Sequence, residues 1–128
     1  MAVVGLSNNP ARPSYGVAQY MQAVGWRIVP INPNETKILG ETCYASLTAA
    51  AAHEKFDLVN CFRNSADIPA IVDEAIALAS KAGIKAVWMQ QGIRHDLAAA
   101  TAETAGLKVV QDRCLKIEHR SLRQADLI

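Results

Sequence analysis

Five short, almost unbroken apolar runs recur along this chain at intervals that leave room for one helix between each pair. They are AVVGL at 2–6, WRIVPI at 26–31, DLVNCF at 57–62, IKAVWMQ at 84–90 and LKVV at 107–110. A strand with one face in water alternates apolar and polar residues, whereas a strand covered on both faces does not. These runs therefore predict buried strands of a parallel sheet. Between them the period changes to that of a helix. Val17, Ala18, Met21 and Val24 follow Ser14, which is suited to cap a helix, and Gly25 is placed to end it. After Ser65, the residues Ile68, Ile71, Val72, Ala75, Ile76 and Ala79 form one stripe that Gly83 closes, with Pro69 in the tolerant first turn. An alanine-rich helix is expected over about 95–105 before Gly106, and a short one over 46–54.

Strand and helix in strict alternation imply right-handed βαβ units. The expected fold is α/β: a three-layer, doubly wound, Rossmann-like domain with a mostly parallel five-stranded sheet and helices on both faces. At 128 residues, half of them apolar, the chain suits a single domain over 1–128. Ligands of such sheets lie beyond the carboxyl ends of the strands, where the strand order reverses. That directs attention to Gly5–Ser14, Asn32–Lys37, Phe62–Ser65, Gln90–Arg94 and Asp112–Cys114.

Charge narrows the ligand. Thirteen basic and twelve acidic residues give a net charge of +1, too little to gather nucleic acid or an acidic membrane from a distance. No apolar run approaches the roughly 20 residues that cross a bilayer, and no basic n-region with a cleavage site opens the sequence. Cys43, Cys61 and Cys114 are odd in number and widely spaced, which suits free thiols in a reducing cytoplasm better than disulfides or zinc. His53, His95 and His119 share no metal-ligand spacing with one another or with the cysteines.

The first turn, GLSNNPARPSYG at 5–16, can present backbone N–H groups and a helix N-terminus to an anion, with Arg12 adding a charged donor. The same residues are also ordinary turn formers, and the segment matches neither GxGxxG nor the P-loop. The second strand ends in Pro30-Ile31-Asn32-Pro33, without the acidic residue that bonds a free ribose hydroxyl, and Lys37 follows. This pattern favours a phosphorylated ribose, as in coenzyme A (CoA) or NADP, over NAD; Glu35, if turned inward, would oppose it.

In combination, VGLSNNPARPSYGVAQYM, PINPN, LGETCY, FRNS, VWMQQG and VVQDRCLKIEH resemble the small bacterial CoA-binding domain proteins. Those proteins are similar in fold to the CoA-binding domain of the succinyl-CoA synthetase alpha subunit and of ADP-forming acyl-CoA synthetases. The resemblance runs from Val3 to about Leu122. It implies that Gly5, Ser7, Asn8, Arg12 and Ser14 serve the pyrophosphate, and that Asn32, Pro33 and Lys37 lie along the phosphorylated adenosine. It further implies that Phe62 and Arg63 follow beside the cofactor, and that Gln90, Gln91 and Gly92 admit the pantetheine arm. Trp88 and Met89 are expected in the core. Two departures stand out. The family's extra helix before the first strand is not found ahead of Ala2, so a domain without it is expected, and His95 occupies a position usually small and polar.

No complete catalytic set is visible. Cys61 or Cys114 with His119 is the one nucleophile–base pairing the sequence offers, and a packed cysteine is the plainer reading of each. Cys114 is the candidate reactive thiol, open to a mixed disulfide with CoA. Related synthetases use a phosphorylated histidine from a separate domain and nucleotide from a partner subunit, so this stretch is not expected to ligate CoA alone. Arg113, Lys116, Arg120 and Arg123 are expected on the solvated face of a last helix, docked by Leu115, Ile117 and Leu122. The leading expectation is non-enzymatic binding of CoA or acyl-CoA. The alternatives are a subunit of an acyl-CoA synthetase needing an ATP-grasp partner, and an NADP module. A homodimer through a sheet edge or exposed helix is compatible with all three.

Overall fold

In the computed structural model, which describes residues 1–128, the alternation becomes β1 (Ala2–Val4), α1 (Pro13–Ala23), β2 (Val29–Ile31), a hairpin of β3 (Lys37–Ile38) and β4 (Glu41–Thr42), α2 (Leu47–Ala51) and β5 (Leu58–Cys61). It continues through a 3₁₀ turn at Ser65–Asp67 into α3 (Ile68–Ala82), then β6 (Ala86–Met89), α4 (Asp96–Thr104), β7 (Lys108–Val110) and α5 (Leu115–Gln124). The five long-range strands form one sheet in the order β2-β1-β5-β6-β7, and every pair in it is parallel. The expected doubly wound α/β fold is therefore present. Its order reverses at β1, which has β2 on one side and β5 on the other. The crevice predicted for such a reversal opens between the carboxyl ends of β1 and β5.

Each face of the sheet is sealed by its own helices. Ala2, Val4, Val59, Cys61, Val87 and Met89 face α2, α3 and α4, whose Leu47, Ile68, Val72, Ala75 and Ala102 complete the larger core. Met1, Val3 and Leu6 face α1 and the start of α5 through Val17, Ala18, Met21 and Leu115. Burying an aliphatic side chain of this kind contributes about 1.5–3 kcal/mol relative to leaving it exposed. Burial of this sort on both faces is why the strands read as continuous apolar runs. In α3 the stripe holds, although Leu78 is buried while Ile76 and Ala79 are only half-buried.

Local chemistry moves several boundaries. The second strand starts at Val29 rather than Trp26, because Trp26 belongs to the end of α1. Gly25, at φ 101°, donates to the Gln22 carbonyl (3.1 Å) and Trp26 to the Met21 carbonyl (3.0 Å), the paired bonds of a Schellman cap. Ser14 is not the cap of α1. Arg12 takes that place with Pro13 as the first helical residue, so Ser14 is drawn inward and buried. The β3–β4 hairpin was not expected. Its two-residue turn, Leu39-Gly40, has φ of 52° and 79°, the primed geometry usually marked by Asn-Gly. Ile38 is buried in the α1-side core, and the Gln22 amide donates to the Leu39 carbonyl at 3.0 Å. Tertiary packing therefore holds a turn that local sequence does not announce.

The last helix also differs. Leu115 docks as expected, but Ile117 and Leu122 remain 50% and 41% exposed, and Arg113 lies ahead of the helix, paired with Glu118. No helix is long and apolar enough to cross a membrane.

Candidate functional site

Two clefts open at the carboxyl ends of the strands, and they share Gly5 and Ser7. The first, about 580 Å³, is bounded by Arg12, Ser14, Phe62, Gln90, Gln91 and Cys114. The second, about 820 Å³, is bounded by Asn8, Asn32, Pro33, Glu35, Arg63 and Glu74, among others. The β1–α1 turn is the ridge between them, so a long ligand can occupy both only by crossing this turn.

The start of this turn packs closely against the end of β5. Gly5 has φ 82°, and a Cβ placed on it would lie 3.0 Å from the Phe62 carbonyl oxygen and 2.9 Å from Arg63 Cδ. Only glycine lets β1 and β5 approach this closely at the switch point. Beyond it the loop is fixed by its own side chains. The Ser14 hydroxyl accepts the Ser7 N–H (3.0 Å), the Ser7 hydroxyl accepts the Asn9 N–H (3.1 Å), and Asn9 Oδ1 accepts the Ala11 N–H (3.0 Å). The N–H groups of Asn8 and Ser14 have no acceptor within the protein. One borders each cleft, and Ser14 stands in the first turn of α1. On the first cleft the free Ser14 N–H, the positive end of α1 and the unpaired, exposed Arg12 are chemically suited to an anion, and the free Asn8 N–H offers a donor on the second.

Asn32 ties the second strand to this turn. Its Nδ2 donates to the Leu6 carbonyl (3.0 Å) and its Oδ1 accepts the Asn34 N–H (2.8 Å). These bonds leave it one amide hydrogen for a ligand, so its main work is to position the loop. Gln90 plays the matching part in the first cleft: it is buried, and its Oε1 accepts the Leu115 N–H at the start of α5 (3.1 Å).

Charge divides the two clefts. Arg12 is the only charged residue on the first. The second carries Glu35, Asp67 and Glu74 against Arg63 alone, and Arg63 pairs with Asp67 at 3.4 Å. Glu35 is turned inward, accepting from Asn8 Nδ2 at 3.3 Å. Lys37, by contrast, stands exposed on β3 and borders neither cleft. The second strand thus ends beside carboxylates rather than beside Lys37: Glu35 turns inward, Asp67 and Glu74 approach from the α3 segment, and the hairpin carries Lys37 outward.

Residues 1–120 match the CoA binding domain family. The chain belongs to this family. Among its relatives is the uncharacterized protein YneT of Bacillus subtilis (strain 168), 34% identical over 119 residues that span 93% of this chain and 84% of that protein. A hypothetical protein from Pyrococcus horikoshii OT3 is 33% identical, with TM-score 0.86 over 95% of this chain and 82% of that one. A Thermus thermophilus protein is 35% identical, with TM-score 0.86 over 94% and 87% of the two chains. The fold also recurs, at 20% identity and TM-score 0.71, in a quarter of the dinucleotide-forming acetyl-coenzyme A synthetase 1 of Ca. Korarchaeum cryptofilum.

Measured against this CoA-binding domain, the residues singled out from sequence fall into three groups. Gly5, Ser7, Asn8, Arg12, Ser14, Asn32, Pro33, Phe62, Arg63, Gln90, Gln91 and Cys114 border one cleft or the other. Gly92 borders neither; its φ of 84° and its N–H bond to Asp112 Oδ1 (2.6 Å) shape the loop after β6 instead. Lys37 lies apart. Ile93 in the first cleft lies within the Gln90–Arg94 segment that the sequence pointed to, but sequence reasoning missed Ser46, Asp67 and Glu74 in the second. None of these has a local signal, since they come from helices and a loop whose orientation depends on packing.

The imagined cysteine–histidine pair does not form. Cys61 is fully buried in β5, and desolvation pushes its thiol up to about 12. His119 is engaged elsewhere: its Nδ1 shares a hydrogen bond with the Tyr20 hydroxyl at 3.0 Å, their rings edge to face. Lys116 sits over the same tyrosine ring. Trp88, expected in the core, is half-buried, with its Nε1 donating to the Arg113 carbonyl (2.7 Å). His95 caps α4, its Nδ1 accepting the Ala98 N–H (3.1 Å).

Proposed function

We propose that this domain binds CoA or acyl-CoA without catalysing a reaction. In this reading the diphosphate crosses the β1–α1 turn, the adenosine lies in the second cleft and the pantetheine arm lies in the first. The observation that carries the reading is the meeting of both clefts at Gly5 and Ser7, with the free N–H of Asn8 bordering one cleft and that of Ser14, together with Arg12, bordering the other. A ligand with an anionic middle and a long extension on either side fits that arrangement better than a mononucleotide, which would fill one cleft only.

Each end has suitable partners. A pantetheine arm carries two amides, and Gln90 and Gln91 present carboxamides to it, with Val17, Phe62 and Ile93 supplying apolar walls. The adenosine would meet Pro33, Ile31 and Ile71, with Arg63 the one cation available to its phosphate. Binding rather than turnover is supported by the engaged state of His119 and the burial of Cys61.

Calorimetric titration with CoA, NADP and NAD in parallel tests the reading. CoA should bind selectively, and Arg12→Ala should weaken it by about 10- to 100-fold, the value of a lost charge-assisted hydrogen bond. Tighter binding of NADP, or an Arg12→Ala variant that binds CoA as well as wild type, would refute it.

A further inference from the structure

We propose that Cys114 captures CoA as a mixed disulfide by exchange with CoA disulfide. This rests on the assignment of the pantetheine arm to the first cleft, since that arm ends in a thiol and Cys114 borders the same cleft.

The three cysteines differ sharply in access. Cys61 is fully buried and its thiol is held protonated by desolvation. Cys43 is buried too, its Sγ donating to the Asn32 carbonyl at 3.5 Å. Cys114 is half-buried, occupies the N-cap position of α5 and makes no side-chain capping bond there, so its sulfur is uncommitted.

A second observation at the same place points to a ligand. Gln90 is only 4% exposed, yet just one end of its carboxamide is used. Its Oε1 accepts the N–H of Leu115, the residue next to Cys114, while its Nε2 donates to nothing in the protein and borders the cleft. That donor is open to the solvent of the cleft, where a ligand acceptor can take the place of water. The amide carbonyls of a pantetheine chain are acceptors of the right kind. Because Gln90 is bonded to the residue beside Cys114, a chain held by that amide is brought to the neighbourhood of the thiol.

The exchange balances without any other oxidant. One half of CoA disulfide binds across the turn. Cys114 gives its proton to solvent, and its sulfur attacks the nearer sulfur of the disulfide. The new Sγ–S bond forms as the old S–S bond breaks, and the second CoA leaves as a thiolate that takes up a proton. Cys114 is oxidised to the mixed disulfide while one CoA half is reduced to the thiol. Excess CoA thiol reverses the step.

Intact-mass measurement under non-reducing denaturation, with peptide mapping, reads the product. The protein is incubated with CoA disulfide or with glutathione disulfide, and CoA binding is measured separately by calorimetry. The expected result is one CoA adduct per chain, mapped to Cys114, absent in Cys114→Ser, and formed about tenfold or more faster than the glutathione adduct because binding places the disulfide beside the thiol. If CoA binds but no adduct forms, or the adduct maps to Cys43 or Cys61, or glutathione disulfide reacts as fast, the capture proposal is overturned and the binding reading stands. If CoA does not bind at all, both fall.

Discussion

Replacing Gly5 with alanine separates two costs that the switch point imposes. The first is conformational: at φ 82° a side chain is strained, at about 1–2 kcal/mol. The second is steric. The new Cβ would meet Arg63 Cδ at 2.9 Å, which a flexible side chain can relieve, and the Phe62 carbonyl oxygen at 3.0 Å, which belongs to the backbone of the neighbouring strand end. Relieving the second contact means pushing β1 and β5 apart where they are hydrogen-bonded, Phe62 N–H to the Val4 carbonyl at 2.8 Å. Overpacking of this kind adds about 1–3 kcal/mol, so Gly5→Ala should lose roughly 2–5 kcal/mol in all. Two other glycines serve as controls. Gly25 has φ 101° but open space around its Cβ position, so Gly25→Ala should show the conformational cost alone, about 1–2 kcal/mol. Gly16 lies inside α1 with open space and no positive φ, so Gly16→Ala should gain about 0.5–1 kcal/mol. Urea unfolding followed by tryptophan fluorescence gives all three values. A Gly5→Ala cost no greater than that of Gly25→Ala would refute the claim that close strand approach, rather than φ alone, requires glycine.

Further outcomes follow from the charges and thiols. If the 3′-phosphate of CoA enters the second cleft, Glu35 repels it. Glu35→Gln should then tighten CoA by about fivefold, for a repulsion of about 1 kcal/mol, and leave dephospho-CoA unchanged. Equal gains for both ligands in calorimetry would place that phosphate elsewhere. Burial raises the folded-state Cys61 thiol to about 12, from an ordinary 9.0. The unfolded chain therefore releases this proton first as pH rises, and the contribution to stability is complete below pH 9 and lost above it. Between about pH 8 and pH 10.5 wild type should lose about 2 kcal/mol more than Cys61→Val; parallel pH dependence of the two would contradict the assignment.

How far the sequence reaches depends on whether a feature is local. Near-continuous apolarity at Val59 and Val87 marked strands covered on both faces, and the alternation with helices then implied the parallel order. The first turn was legible because Gly5, Ser7, Arg12 and Ser14 lie within ten residues of one another. Even there the detail was not: Ser14 has the composition of a cap, but Pro13 can occupy the first helical position, so the helix begins earlier and the Ser14 hydroxyl serves the Ser7 N–H instead. The acidic character of the second cleft was out of reach. Asp67 and Glu74 enter it from the α3 segment, 35 or more residues beyond Asn32 in sequence, and Lys37 leaves it through a Leu-Gly turn that carries no hairpin signature. A charge near a strand end in sequence is not thereby a charge at the strand end in space.

The most direct test of the central claim is a titration of isotopically labelled protein with CoA, followed through backbone amide resonances. The account predicts that the N–H groups of Asn8 and Ser14 shift most, as they acquire the diphosphate as acceptor, with smaller changes at Arg63 in one cleft and Gln91 in the other. Shifts confined to the Lys37–Thr42 hairpin or to α5 beyond Leu115, with Asn8 and Ser14 unmoved, would contradict it.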